Sequence, residues 1–179
     1  MRSDMSGNDA LIIGRFQPFH KGHMEVLRKI FLECDHVTIG IGSAQLSHME
    51  DNPFTAGERY LMIAEALRAE GYSNFYIVPV EDLNRYSLWV AQVTSMCPPF
   101  DIVYTNNPGT RLLFNEAGYE VRSSPLYNRN DYSGTEVRRR MVEGEDWKDL
   151  VPARVAEVIE SIGGVERVKQ IGESDDIRY

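Results

Sequence analysis

The stretch Gly14-Arg15-Phe16-Gln17-Pro18-Phe19-His20-Lys21-Gly22-His23 gathers groups that can handle phosphate. His20 and His23 stand three apart, and imidazole N–H groups hold phosphate oxygens whether or not the rings are protonated. Arg15 and Lys21 add fixed charge, and Gly14 and Gly22 permit close backbone approach. Taken singly, a histidine at a helix start is more often a surface or capping residue, and this pair lacks a neighbouring carboxylate that would favour a metal. Location favours chemistry. The stretch follows a predicted strand and opens a predicted helix, where free N–H groups and the helix dipole attract an anion.

A second stretch, Ser133-Gly134-Thr135-Glu136-Val137-Arg138-Arg139-Arg140, opens a late helix. Ser133 and Glu136 have the spacing of a capping box. Consecutive helical residues diverge by about 100°, so the three arginines cannot all meet one ligand. One or two are expected to be functional and the rest structural or interfacial.

The elements that must position these groups alternate in type. Short apolar runs at Ala10–Ile13, Val37–Ile41, Phe75–Val80 and Asp101–Tyr104, with a weaker one at Tyr119–Val121, predict strands buried on both faces. Helices are predicted from Gly22 to Glu33 and from Thr55 to Glu70, the latter starting on a Thr55/Glu58 capping box. Asn107-Pro108 starts another helix through Ala117, and a helical run is expected after Leu88-Trp89-Val90. Beyond Ser133 only helices are predicted: Thr135 to Glu143, Trp147 to Leu150 and Pro152 to Ser161. This pattern implies an α/β fold, a doubly wound parallel sheet of about five to six strands whose ligands sit at the carboxyl ends. Residues 9–172 are expected as one domain with a helical C-terminal part at 133–172, and 1–8 and 173–179 as flexible tails with a turn-rich segment at Asn128 to Asp131.

Composition narrows the function. A formal charge of −8 speaks against broad nucleic-acid binding, though a compact site can still be positive. No apolar run reaches the roughly 18 residues of a membrane span, and the N-terminus lacks an apolar core behind its charge, so a cytoplasmic protein is expected. Cys34 and Cys97 are too few for a disulfide framework or zinc site and are expected as buried free thiols. Trp147, His36 and His48 are expected to be structural.

The first stretch resembles the H-x-G-H signature of the nucleotidyltransferase superfamily, in the longer form G-R-F-Q-P-F-H-x-G-H of the archaeal-type nicotinamide-nucleotide adenylyltransferases. Tyr132 through Arg138 is similar to the superfamily's I-S-S-T-x-x-R motif, with Tyr132 and Gly134 departing from it. The resemblance runs from Leu11 to about Lys169. It implies a Rossmann-like fold and direct in-line transfer of AMP from ATP to nicotinamide mononucleotide, giving NAD and pyrophosphate. On the same basis His20, His23 and Arg138 are the expected catalytic residues. Gly14, Arg15, Phe16, Gln17, Gly22, Ser133, Thr135 and Arg139 are expected around the ATP phosphates. Ser43, Tyr86, Trp89, Asn106 and Asn107 form the expected acceptor side, where Trp89 would stack on the nicotinamide and the asparagines could read adenine or amide groups. Mg2+ is expected on the substrate phosphates without a carboxylate cage, and a homo-oligomer, a hexamer in the family, is implied. Relatives can carry a basic residue in the stretch from Met49 to Thr55; Glu50 and Asp51 stand there instead, so Arg15, Lys21 or Arg59 is expected to supply charge. The alternatives are an enzyme of the same fold acting on flavin mononucleotide, pantetheine phosphate or an alcohol phosphate, and a non-catalytic nucleotide sensor.

Overall fold

The apolar runs become five parallel strands in a computed structural model that describes residues 8–124 and 132–173. They are β1 (Asp9–Gly14), β2 (His36–Ile41), β3 (Phe75–Pro79), β4 (Ile102–Tyr104) and β5 (Glu120–Arg122), in the order β3-β2-β1-β4-β5. Every pair is parallel, with β1 flanked by β2 and β4. The order reverses at β1, and the cleft at the carboxyl ends of β1 and β4 is where such a sheet accepts a ligand.

Alternation along the central strands supplies two cores. Ala10 and Ile12 of β1 face the cluster built with α1 (Lys21–Glu33), α2 (Ala56–Ala69), α5 (Gly134–Glu143), α6 (Ala153–Ser161) and α7 (Gly164–Glu173). Leu11 and Ile13 face the other cluster, which includes Val93 of α3 (Tyr86–Met96) and Phe114 of α4 (Pro108–Glu116). Burial on both faces therefore holds for β1, β2 and β4, while the edge strands β3 and β5 are only partly covered; Tyr76 is 48% exposed. The helical part after Ser133 shares the first core through Val137, Met141, Trp147, Val155 and Val168, so Trp147 has the structural place expected of it. Cys34 and Cys97 are buried and free.

Three expectations are corrected. α3 begins at Tyr86, two residues before Leu88, which puts Tyr86 and Trp89 on the helix itself. α7 lies in the part expected to be helical at 133–172, but Gly163 and Gly164 signal a turn, so the sequence places no separate helix there. Gly163 makes that turn at φ +64, but Val165 and Val168 then pack on the first core, and packing stabilises a helix too short to persist alone. Asn8 is not a tail residue: its N–H donates to Asp35 Oδ2 at 3.1 Å and its carbonyl accepts from the Asp35 N–H at 3.0 Å. Glu173 likewise ends α7. The expectations for residues 1–7 and 174–179 and for the turn at 128–131 lie outside the described residues. Among the described residues, no helix is long and apolar enough to cross a membrane.

Candidate active site

The β1–α1 junction turns on its two histidines. His20 is the N-cap of α1, and the rings cap each other's backbone: His23 N–H donates to His20 Nδ1 at 3.3 Å, and His20 N–H donates to His23 Nδ1 at 3.2 Å. Each Nδ1 is thus an acceptor, so the proton of each neutral ring sits on Nε2, leaving an Nε2–H donor on both. The rings stack with centroids 3.6 Å apart, and His23 also packs on Phe19 and edge-on to Phe16. Burial pushes the His20 imidazole down to about 4, and burial together with His20 holds His23 well below its ordinary 6.5. Two neutral, oriented donors result. A Cβ on Gly22 would stand 3.0 Å from His20 Nδ1 and 3.0 Å from Tyr132 Cβ, which explains why the residue just before His23 is glycine.

These rings line a cavity of about 600 Å3 with Gly14, Arg15, Phe16, Gly22, Asn106, Asn107, Ser133 and Thr135. The structure thus brings most of the expected phosphate set to one place from both ends of the chain. Ser133 caps α5 by accepting from Glu136 N–H at 3.1 Å, and Gly134 lies so close to the Gln17 carbonyl that a Cβ would come within 2.8 Å. Gln17 is buried, with its amide paired to the backbone of Phe54 through two bonds of 2.9 Å. Its carbonyl accepts from Arg138 Nη1 at 2.7 Å.

Arg138 stands beside this cavity rather than on its wall. It borders an adjoining groove of about 330 Å3, and Thr135 belongs to both spaces. Its Nη2 donates to Asp51 Oδ1 at 3.2 Å. Burial lowers the Arg138 pKa, opposed by Asp51. Asp51 therefore holds the motif arginine. Arg139 lines the same groove as Arg138, off the histidine cavity, and bridges Glu136, Glu143 and Glu145.

The expected acceptor residues divide. Ser43, Trp89 and Asn107 line a cavity of about 320 Å3 that shares Gly14, Arg15 and Thr105 with the histidine cavity. Trp89 packs edge-on to Phe114 with centroids 5.7 Å apart, so the same ring serves the second core and the cavity wall. Tyr86 is 79% exposed and borders an outer groove of about 680 Å3. Asn106 spends both amide hydrogens on Ser124, each at 2.8 Å. Asn107 does the reverse, its oxygen capping α4 through Thr110 N–H at 3.0 Å.

Of the three cations expected to balance the acids, only Arg15 lines these cavities. Lys21 lies 3.9 Å from Asp149 and borders a different cavity. Arg59 is fully buried and bonds only carbonyl oxygens, and burial, with help from Arg15, pushes it down to about 10. Its place was legible: Arg59, Ile63 and Ala66 fall on one helical face, so the cation interrupts an apolar stripe. His36 and His48 lie outside these cavities, paired with Asp9 at 3.3 Å and Ser47 at 3.0 Å.

Residues 11–140 match the cytidylyltransferase-like family. The chain is 56% identical to a nicotinamide-nucleotide adenylyltransferase of Picrophilus torridus, over 93% of this chain and 99% of that one. It is 54% identical to the enzyme of the same name from Archaeoglobus fulgidus, over 93% and 98%. Among solved structures, a bifunctional NMN adenylyltransferase/ADP ribose pyrophosphatase from Francisella tularensis superposes with a TM-score of 0.75 at 20% identity, over 94% of this chain and 54% of that one. That likeness speaks for the fold alone.

Proposed function

The chain belongs to the cytidylyltransferase-like family, and on that premise we propose that it is a nicotinamide-nucleotide adenylyltransferase, moving AMP from ATP to nicotinamide mononucleotide. The relatives' shared activity supports this reading, since they match at more than half identity over nearly their whole length. The observation that carries the chemistry is the reciprocal cap, which leaves two Nε2–H donors beside Ser133 and Thr135 at the point where the sheet order reverses.

An oxygen of the acceptor phosphate attacks the α-phosphorus of ATP while the bond from that phosphorus to the bridging oxygen breaks. Pyrophosphate leaves with the bonding pair, and NAD remains. The attacking oxygen is already anionic, so no strong base and no covalent enzyme intermediate are required; positioning and charge neutralisation carry the rate. His20 and His23 donate to the α- and β-phosphates as charge grows on the leaving group. Arg138, from the adjoining groove, takes the β/γ oxygens in exchange for Asp51, and Arg15 sits between the two substrates. Trp89 offers its ring on the acceptor side.

Mg2+ would be held by the triphosphate and water, where it would neutralise part of the phosphate charge. The working form is a homo-oligomer in the cytoplasm. Mass-spectrometric detection of NAD from ATP and nicotinamide mononucleotide tests the assignment. Turnover of flavin mononucleotide, a pantetheine phosphate or an alcohol phosphate instead would reject it. Light scattering tests the assembly.

A further inference from the structure

Arg59 has five N–H donors, and five backbone carbonyls take them. Nε donates to Thr55 O at 3.3 Å, Nη1 to Arg15 O at 2.8 Å and Gly42 O at 2.9 Å, and Nη2 to Ser43 O at 3.1 Å and Leu46 O at 3.4 Å. No donor is left for a ligand. No carboxylate among the described residues forms an ion pair with it. A buried cation whose hydrogen bonds all go to carbonyl oxygens, with Asp82 acting on it only at longer range, is costly to bury.

What it organises is a pair of matching turns. The loop after β1 passes through Phe16 at φ +52, and the loop after β2 through Ser43 at φ +47, each two residues beyond its strand. Left-handed backbone at residues other than glycine is strained and persists only where its surroundings impose it. Both turns are bonded to Arg59 and joined to each other by Gly42 N–H to Gly14 O at 2.9 Å. Across a trans peptide, C=O and N–H point in opposite directions. With the carbonyls of Arg15 and Gly42 drawn inward, the N–H groups of Phe16 and Ser43 face away from Arg59, and neither meets an acceptor among the described residues. Phe16 and Ser43 lie on the two adjoining cavities, with Arg15 on both. Outward N–H groups in left-handed turns make anion-binding concavities.

We infer that Arg59 is a positioning residue whose five bonds lock the β1 and β2 turns so that the backbone N–H groups of Phe16 and Ser43 receive the phosphate of the acceptor mononucleotide. The inference rests on the reading of this site as an adenylyltransferase centre, and its effect falls on the acceptor. The histidine donors and Ser133 make no bond to Arg59.

Arg59→Lys keeps the charge but cannot span five acceptors. In the full-length protein, it is expected to raise the KM for nicotinamide mononucleotide by about tenfold or more, with the KM for ATP within about threefold of wild type. A purely structural role would move both constants or neither, and that result overturns the inference. Should the variant not fold, wild type decides: inorganic phosphate is expected to shift the amide resonances of Phe16 and Ser43, and stationary resonances overturn the proposal. Wild type that makes no NAD would reject the functional reading, while the amide titration still judges the positioning separately.

Discussion

Two helix starts meet at the candidate site, and they offer a ligand different electrostatics. At α1 the cap is made by the candidate catalytic side chains themselves, two stacked histidines kept neutral by burial with Nε2–H left as the donor. At α5 the cap is an ordinary serine, and the functional candidate is a cation one turn later, already engaged by Gln17 and Asp51. The dry end orients without charge; the wetter end supplies charge that can change partners. Hydrogen bonding in a water-poor pocket gains from low dielectric without the cost of burying an ion. A guanidinium beside an exposed carboxylate can exchange it for a phosphate.

Breaking the α1 side is expected to have the largest effect. His23→Ala should lower kcat by about 100-fold or more while ATP still binds, as loss of one transition-state donor does elsewhere; single-turnover rates alongside ATP titration check this, and unchanged turnover would reject the role. It would also uncap His20, so circular dichroism must accompany the kinetics.

Acid should act next, again on α1. His20 has a folded value of about 4, below its unfolded 6.5. Its contribution to stability is therefore fully present above about pH 6.5 and is lost as pH falls toward 4, reaching about 3 kcal/mol. Urea unfolding from pH 7 to pH 4.5 measures it, and His20→Asn should flatten the profile. A flat wild-type profile would mean that the ring titrates freely.

The α5 side calls for milder changes. Arg138→Lys is expected to raise the KM for ATP by about tenfold, since lysine cannot form a forked contact, with the KM for nicotinamide mononucleotide nearly unchanged. Arg139→Ala should matter least. Its guanidinium is held by Glu136, Glu143 and Glu145, so turnover is expected to stay within about twofold, as for exposed ion pairs generally. A large loss there would move Arg139 back among the phosphate ligands.

Much of the fold was legible because its cues are local. The Thr55/Glu58 box, Asn107-Pro108 and the apolar runs each act within a few residues, and they mark α2, α4 and the strands as found. α7 was not legible as a separate helix because its two leading glycines argue for a turn and its apolar residues gain only from the core they meet.

By itself, the sequence determined which groups could meet phosphate and that both lie at helix starts, since residue type and spacing fix caps and faces. Only the tertiary structure decided their states. The neutral, Nε2-protonated histidines, the hold of Asp51 on Arg138 and the five carbonyls around Arg59 depend on burial and on partners many residues apart. Hydrogen bonds and desolvation act over a few ångströms of space, whatever the distance along the chain.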